Sequence, residues 1–211
     1  MNYTEIKNAA LAYSDRQDST AVVANIDNFL RVVEARMNRL MTIENLSIRY
    51  QFPAPNPTDG RYALPADFSA LQDISIITVA DITKRTTLLL INPEQMNNAT
   101  SASNNPSWLK RFYNIIASQL VIQPVIDDTN ILEIVYYGKV LPLGVINTDN
   151  WIATNHPDVY IFGLMTEINS FMKDGVAAEA WNARFTQAVS EITFADDKLV
   201  YSGPPLIMRA G

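Results

Sequence analysis

The chain has 211 residues, no cysteine and a formal net charge of −6, from 16 basic and 22 acidic side chains. This length allows one substantial hydrophobic core, with room for a subdomain. The lack of cysteine excludes disulfides and cysteine-ligated zinc, and the acidic balance without a basic stripe argues against a protein that grips nucleic-acid phosphates. No apolar run approaches the roughly 20 residues of a membrane span, and the N-terminus lacks a signal-peptide pattern. We therefore expect a cytosolic protein, or part of a particle made in the cytosol.

Three stretches carry the periodicity of amphipathic helices. Residues 21–41 place apolar side chains at steps of three and four, which predicts one long helix. Residues 161–172 do the same, and residues 178–199 continue with a 3.5-residue period that suits a helical seam. Between them lies Lys173-Asp174-Gly175, whose glycine is suited to the left-handed conformation that ends a helix. Residues 150–201 are therefore predicted to form an antiparallel helical hairpin.

Between these helices the pattern changes to that of β-strands. Residues 47–52 alternate polar and apolar side chains, as a strand with one buried face does. Residues 71–79 and 86–91 are β-branched apolar runs, which predict a hairpin around a charged turn at residues 81–85. Three further strands are predicted at residues 110–116, 119–122 and 132–137.

These patterns predict a mainly α protein with a β-rich insertion, within the α+β class. Residues 1–45 and 148–201 are expected to form a bundle of about four helices. Residues 46–147 are expected to form a small antiparallel β subdomain between helix 2 and the C-terminal hairpin. Residues 202–211 are predicted to be an extended tail, because Pro204 and Pro205 exclude helix there.

Few side chains suggest catalysis or ligand binding. The one histidine, His156, precedes Pro157 at a predicted helix start. One histidine cannot supply a two-histidine metal site, and no Gly-x-Ser-x-Gly nucleophile elbow is present. His156 is therefore interpreted as a capping or surface residue. The seven glycines form no phosphate-binding loop, which argues against nucleotide binding.

Two acidic doublets and one aromatic cluster are candidate binding sites. Asp127-Asp128 and Asp196-Asp197 lack the alternating ligands, glycine and late glutamate of a calcium loop, and are expected to be solvated charges. Trp108, Phe112 and Tyr113 near Lys110 and Arg111 could stack on bases, but aromatics at a strand start are more typical of a core or an interface. The sequence predicts no catalytic residue, no metal site and no cofactor, and hence no enzyme. Acidic pairs that meet only in space keep a carboxylate-based hydrolase open as an alternative.

The C-terminal tail carries an apolar triplet, Leu206-Ile207-Met208, beyond the last predicted helix. Two readings stay open for it. The triplet either folds back on its own bundle or docks on a partner, where a segment already stiffened by proline loses less entropy on binding.

Several stretches resemble the head-to-tail adaptor, or connector, proteins of tailed bacteriophages. They are residues 59–68 (DGRYALPADF), 132–139 (LEIVYYGK), 150–160 (NWIATNHPDVY) and the end of the chain, Tyr-Ser-Gly at 201–203 with Pro-Leu-Ile-Met-Arg at 205–209. The order of helices, β insertion, helical hairpin and tail extends this resemblance over nearly the whole chain. None of these motifs is catalytic. Residues 82–107 carry no stretch that matches.

The resemblance implies a virion structural protein at the head–tail junction, assembled in the host cytoplasm. Such adaptors form a homo-oligomeric ring, usually a dodecamer, that binds the portal on one side and tail or nozzle proteins on the other. DNA passes through the channel during genome ejection without specific binding, and no membrane is involved. A helical protein-interaction module without ring assembly is the main alternative.

The same likeness assigns a role to each part of the chain. The hairpin would pack the ring, the β insertion would contact the tail, and the C-terminal tail would dock on the portal. The predicted portal-binding residues are Tyr201, Pro204, Pro205, Leu206, Ile207, Met208 and Arg209.

Overall fold

The computed structural model describes residues 1–41, 46–96 and 111–201, the side chains of 197–201 excepted. The chain divides into two compact units. The first, here the helical unit, comprises Met1–Leu46 and Lys139–Gly211. The second, here the sheet unit, comprises Ser47–Gly138.

The helical unit is built from helices near both ends of the chain. Their bounds are α1 Tyr3–Tyr13, α2 Thr20–Leu40, α3 Trp151–Asn155, α4 Pro157–Phe171 and α5 Gly175–Tyr201. Helix α4 is central and packs against α1, α2 and α5. It is buried on most sides because its apolar residues extend around much of the helix rather than along one stripe.

The core of the helical unit requires a glycine at one helix crossing. Val33 on α2 and Phe185 on α5 are fully buried and lie against Gly163 on α4. A β-carbon at Gly163 would lie 2.5 Å from Val33 Cγ1, which is closer than real contacts allow. Only a residue without a side chain lets α4 approach α2 at this distance.

The sheet unit contains two four-stranded sheets. The strands are β1 Ser47–Gln51, β2 Arg61–Ala63, β3 Phe68–Thr78, β4 Asp81–Thr87, β5 Leu89–Leu90, β6 Phe112–Ile116, β7 Gln119–Gln123 and β8 Asn130–Gly138. The first sheet has the order β1-β8-β3-β4, and all its neighbours are antiparallel. The second has the order β2-β7-β6-β5, in which β5 and β6 run parallel.

Both sheets contribute to a single core in the sheet unit. Alternate residues of β8, Leu132, Ile134 and Tyr136, are buried on one face, as the two-residue period of a strand requires. Leu120 and Ile122 of β7 join them from the second sheet. The sheet unit therefore has a hydrophobic core of its own.

The prediction of a mainly α helical bundle with a small antiparallel subdomain is wrong. The protein is α+β with two sheets of four strands each, and it is more β-rich than a bundle. The error has a physical cause. Long helices give strong periodic signals, whereas strands of two to five residues give almost none.

The predicted charged turn at residues 81–85 is also wrong. These residues belong to β4, and the chain reverses at Val79 and Ala80. Strand β4 lies at the edge of its sheet, where charged side chains remain in water and prevent further strand pairing. The charged side chains of residues 81–85 therefore indicate an edge strand and not a turn.

The two-helix hairpin of α4 and α5 is confirmed, but its connection differs from the prediction. Lys173, not Gly175, takes the left-handed conformation, with φ of 63°. Gly175 is the first residue of α5, and the side chain of Asp174 caps that helix by accepting from Ala177 N–H at 3.1 Å. The residue that adopts the strained positive φ is therefore Lys173, which carries a side chain, and not a glycine.

Candidate functional site

The predicted portal-binding tail lies almost entirely outside the described residues. Tyr201 is the last residue of α5, and its side chain belongs to the part not described. Residues 204–209 fall beyond that limit. The assignment of these residues to partner binding stays a prediction.

A loop of the helical unit presents two apolar side chains to solvent. In the connection between β8 and α3, Gly144 N–H donates to Asn147 O at 2.8 Å and closes a tight turn. Val145 is 85% exposed and Ile146 is fully exposed at this turn. We call these two residues the loop tip. Adjacent exposed β-branched residues are costly to keep in water, and such residues often mark an interaction site.

The base of this loop is attached to helix α2. Asn38 Oδ1 accepts from Val140 N–H at 2.7 Å, and Glu34 Oε1 accepts from Leu143 N–H at 2.7 Å. The side chains of Val140 and Leu143 are buried in the helical core. The loop tip is therefore held by hydrogen bonds and by packing at its base.

Glu34 is a buried carboxyl that supports this loop from within the helical unit. Burial raises the pKa of Glu34, although hydrogen bonds from Leu143 N–H and from Tyr160 Oη partly counteract that effect. Asn150 completes the network. Its Nδ2 donates to Leu141 O and to Tyr160 Oη, both at 2.7 Å. The donors of this network each meet an acceptor, which indicates that Glu34 supports the loop and does not act as an acid or a base.

A groove lies between the end of α2 and the outer face of α5. Its volume is about 360 Å³. Leu40 and Phe194, each more than half exposed, line it with Val189. Three hydroxyl side chains complete the lining: Thr186, Ser190 and Thr193. The described lining of the groove therefore combines three apolar with three hydroxyl side chains, and it includes no basic group that could activate a hydroxyl as a nucleophile.

The sheet unit contains a buried carboxylate, Glu133, on the face of β8 opposite the sheet core. Its side chain is 1% exposed and accepts from Gln51 Nε2 at 2.8 Å, from Arg49 Nη1 at 3.3 Å and from Arg85 Nη1. Burial alone would raise the pKa of Glu133, but the hydrogen bonds from Gln51 and Arg85 hold it below its usual value. Glu133 thus joins β1, β8 and β4 and is a structural acid.

A second hollow, of about 500 Å³, lies on the sheet unit beside β6 and β7. Its described lining includes Asp59, Arg61, Met96 and Gln119. Asp59 is the one acidic side chain among the described lining residues, whereas a carboxylate-based hydrolase needs a pair of them. The hollow offers no support for the carboxylate-based hydrolase.

The remaining candidate residues from the sequence are His156 and the aromatic cluster. His156 lies between α3 and α4, with its ring 5.1 Å from the Trp151 ring and its N–H bonded to Ile152 O. It is the N-cap residue of α4, directly before Pro157, and its side chain forms no capping hydrogen bond. Of the aromatic cluster, Trp108 lies outside the described residues, as does Lys110.

The two acidic doublets differ in environment. Asp127 Oδ1 accepts from Thr129 N–H and from Asn130 Nδ2 within its turn, and Asp128 Oδ1 accepts from Asn56 N–H at 2.8 Å. The hydrogen bond from Thr129 lowers the pKa of Asp127. The prediction that Asp196 is solvated is wrong, because Asp196 is buried on α5. The buried stripe of α5 continues from Ile192 to the residue four positions on, which is Asp196, whereas Ala195 is exposed.

The loop tip and the groove were not found by sequence reasoning. One signal was available: Val145 and Ile146 follow Gly144 in a stretch with no strand or helix period, so no regular element would bury them. The groove had no comparable signal, since its residues come from helices about 150 positions apart.

The described part of the chain contains neither a cluster of metal-binding side chains nor a membrane-spanning helix. Within residues 1–41, 46–96 and 111–201 no group of three or more histidine or acidic side chains converges as a metal site would require. No helix in those same ranges is long and apolar enough to cross a membrane.

Comparison with known proteins identifies the family. A family model described as SU10 adaptor protein matches residues 1–209. A search of curated proteins finds no match. The match spans both units and agrees with the resemblance to phage adaptors seen in the motifs at 59–68, 132–139 and 150–160. The chain therefore belongs to the SU10 adaptor protein family, which makes it a structural adaptor of a phage.

Proposed function

We propose that this adaptor forms a ring, a dodecamer in the simplest case, that joins the portal at the capsid vertex to the tail. The observation that carries the proposal is the family match over residues 1–209, because it covers both units. In this role the protein works by contact and not by catalysis. It resides at the head–tail junction of the virion after assembly in the host cytoplasm.

Each part of the chain has a task in this proposal. The α4–α5 hairpin packs neighbouring copies, and the sheet unit contacts tail or nozzle proteins. The residues after α5 dock on the portal. Two prolines, Pro204 and Pro205, restrict the backbone before the Leu206-Ile207-Met208 triplet, so the segment loses less entropy on binding than a flexible one. Arg209 adds a charge beside that triplet.

The charge of the chain suits a DNA passage. At −6 per copy, a ring of identical subunits carries a large negative charge, and phosphates are repelled by such a surface. DNA could then pass through the channel without being held. No base-specific contact is needed.

A truncation tests the portal-docking part of the proposal. A chain ending at Ser202 should still fold but bind portal complexes at least about 100-fold more weakly, since three buried aliphatic side chains contribute on the order of several kcal/mol. A full-length chain with Leu206, Ile207 and Met208 replaced by serine serves as the matched control for length, and should lose the same affinity. Unchanged portal binding by the truncated chain would contradict the assignment of the tail.

A further inference from the structure

The described strands of the sheet unit include four edge strands, and one of them lacks the features that normally prevent further strand pairing. Strands β2 and β5 are only three and two residues long, and β4 carries several charges and a break in its register. Strand β1, by contrast, has five residues, no proline and an unbroken register with β8. Its residues 48–51 are all exposed. Among the described edges, β1 is therefore the one suited to accept a further strand.

We propose that β1 accepts an extended segment of a partner protein as a fifth strand of its sheet, antiparallel to β1, and that this segment carries an acidic residue between two apolar residues. In the adaptor, the partner is a tail or nozzle protein, and this assignment rests on the proposed function. The strand-binding edge itself does not depend on it.

The backbone groups of β1 point alternately toward β8 and away from it. Phe52 N–H donates to Leu132 O at 2.9 Å, and these two residues lie opposite each other when the register of β1 and β8 is continued by one residue. Hydrogen-bonded positions alternate along an antiparallel pair, so Ile48 and Tyr50 also direct their N–H and C=O groups toward β8. The residues whose backbone groups face the open edge are the other three of the strand: Ser47, Arg49 and Gln51.

Two apolar side chains of β1 remain half-covered at this edge. Ile48 and Tyr50 lie opposite Tyr136 and Ile134 of β8, on the face of the sheet that forms the core, and are 37% and 36% exposed. Residues of an added strand opposite Ile48 and Tyr50 would form the non-hydrogen-bonded pairs, in which side chains approach most closely. Apolar residues at those two positions would therefore extend the core over Ile48 and Tyr50.

Between these two positions, Arg49 projects from the opposite face and shares its acidic partner. Arg49 Nη1 lies 3.3 Å from Glu133 Oε1, and Arg85 Nη1 bonds the same oxygen. No other acidic side chain in the described part of the chain pairs with either arginine, so the cluster has one positive charge in excess. The side chain of Arg49 is 61% exposed. A carboxylate opposite Arg49 in the added strand would neutralise the excess charge, and a lysine there would be repelled.

This chemistry argues against occupants supplied by the chain itself. In the C-terminal tail, the residue between Leu206 and Met208 is the apolar Ile207, and a basic residue, Arg209, follows. Two β1 strands paired across a two-fold axis would place both Arg49 side chains on one face of the joined sheet, close to each other. A partner segment that carries an acid fits the edge better than either.

A synthetic peptide tests the strand addition. The probe has glutamate between two valines, flanked by threonines (TTVEVTT), and carries a fluorophore for anisotropy measurements. The native protein should bind it about twofold to fivefold more tightly than the glutamine form TTVQVTT, and at least about tenfold more tightly than the lysine form TTVKVTT. Equal binding of all three peptides, or no saturable binding, would overturn the proposal.

Methylation of single peptide nitrogens shows whether the backbone pairs as proposed. In the antiparallel arrangement the glutamate lies opposite Arg49 and its N–H donates to Arg49 O, whereas the N–H groups of the valines point away from β1. N-methylation of the glutamate should weaken binding at least about tenfold, and N-methylation of either valine should change it less than about threefold. Equal losses at both kinds of position would contradict strand addition.

Two arginines provide matched protein variants. The side chains of Arg49 on β1 and Arg61 on β2 are each 61% exposed. Arg49→Ala should bind TTVEVTT and TTVQVTT equally, whereas Arg61→Ala should keep the native preference for glutamate. Amide exchange of β8 verifies that both variants are folded. If Arg49→Ala keeps the preference, Arg49 does not select the acidic residue and that part of the proposal is refuted.

A photo-crosslinking amino acid at Ser47 identifies the partner in assembled head–tail complexes. Crosslinks to a tail or nozzle protein are expected. Crosslinks to the portal or to a second copy would overturn the assignment of the partner. Peptide binding by a protein that never joins portal complexes would support the strand site and contradict the proposed function. Rings on portals without any peptide binding would overturn the strand site and leave the proposed function intact.

Discussion

Replacing Glu133 by alanine should destabilise the sheet unit. The mutation removes the acceptor of the Gln51 amide, a buried hydrogen bond to a charged group that contributes about 1.5–3 kcal/mol. Arg49 and Arg85 lose their partner as well, but their side chains are 61% and 42% exposed and can turn to water, so each loss is at most about 1 kcal/mol. We expect the free energy of unfolding of the sheet unit to fall by about 2–4 kcal/mol.

The assay must report on the sheet unit itself. Trp151 and Trp181 both lie in the helical unit, so tryptophan fluorescence mainly follows that part. Amide hydrogen exchange of β8, whose N–H groups bond to β1 and β3, gives the local free energy directly. Arg49→Ala is the matched control and should cost less than about 1 kcal/mol.

The same variant should alter the pH dependence. Because the pKa of Glu133 lies below its ordinary value of 4.5 in the fold, its contribution is present above that value and is lost as the pH falls through the lowered pKa. Glu133→Ala should therefore lose this acid-sensitive part of the stability. If β8 exchange in Glu133→Ala matches the native protein at pH 7, the assignment of Glu133 as a structural acid is refuted.

Three other changes probe the helical unit. Lys173→Gly should raise the free energy of unfolding by about 0.5–1 kcal/mol, because glycine adopts the φ of 63° without strain, and a lower melting temperature by tryptophan fluorescence would contradict this. Gly163→Ala should cost about 1–3 kcal/mol in urea unfolding, since its β-carbon meets Val33, and a loss below about 0.5 kcal/mol would show that the helices shift apart freely. Glu34→Gln keeps an acceptor for Leu143 N–H but removes a carboxyl whose pKa is raised by burial. The stabilisation from the native carboxyl is complete below pH 4.5 and is lost as the pH rises through the raised pKa. The variant should therefore gain stability relative to the native protein as the pH rises above 4.5, and a stability deficit that grows with pH would contradict the sign.

The long helices could be predicted from sequence because their signal repeats many times. The predicted helix at 21–41 is observed at Thr20–Leu40, and the hairpin of α4 and α5 follows the same logic. Each of these helices has several turns, so single irregular residues do not hide the period. The α4–α5 connection shows the limit, since Gly175 looked better suited than Lys173 to the left-handed position.

The sheets were harder to predict because their turns lack the expected residues. The chain reverses at Val79-Ala80 without glycine or asparagine. It reverses again at Ala117 and Ser118, which have φ of 49° and 62°. Turns are predicted from residues that tolerate a positive φ, such as glycine and asparagine. A turn in which the surrounding sheet holds other residues at a positive φ is therefore missed.

The candidate surfaces depend on contacts between distant parts of the chain. Leu143 meets Glu34 across 109 positions, and no local pattern reveals that pairing. Without it, Val145 and Ile146 would be two apolar residues in an ordinary loop. The burial of Asp196 likewise depends on how α5 packs and not on its neighbour Asp197.

Cryo-electron microscopy of the protein mixed with portal complexes of the phage that encodes it tests the central claim most directly. The account predicts a collar of identical copies on the portal, twelve in the simplest case, with residues 204–209 laid against the portal surface. Free copies beside bare portals, at concentrations well above those of assembling virions, would contradict the adaptor-ring proposal.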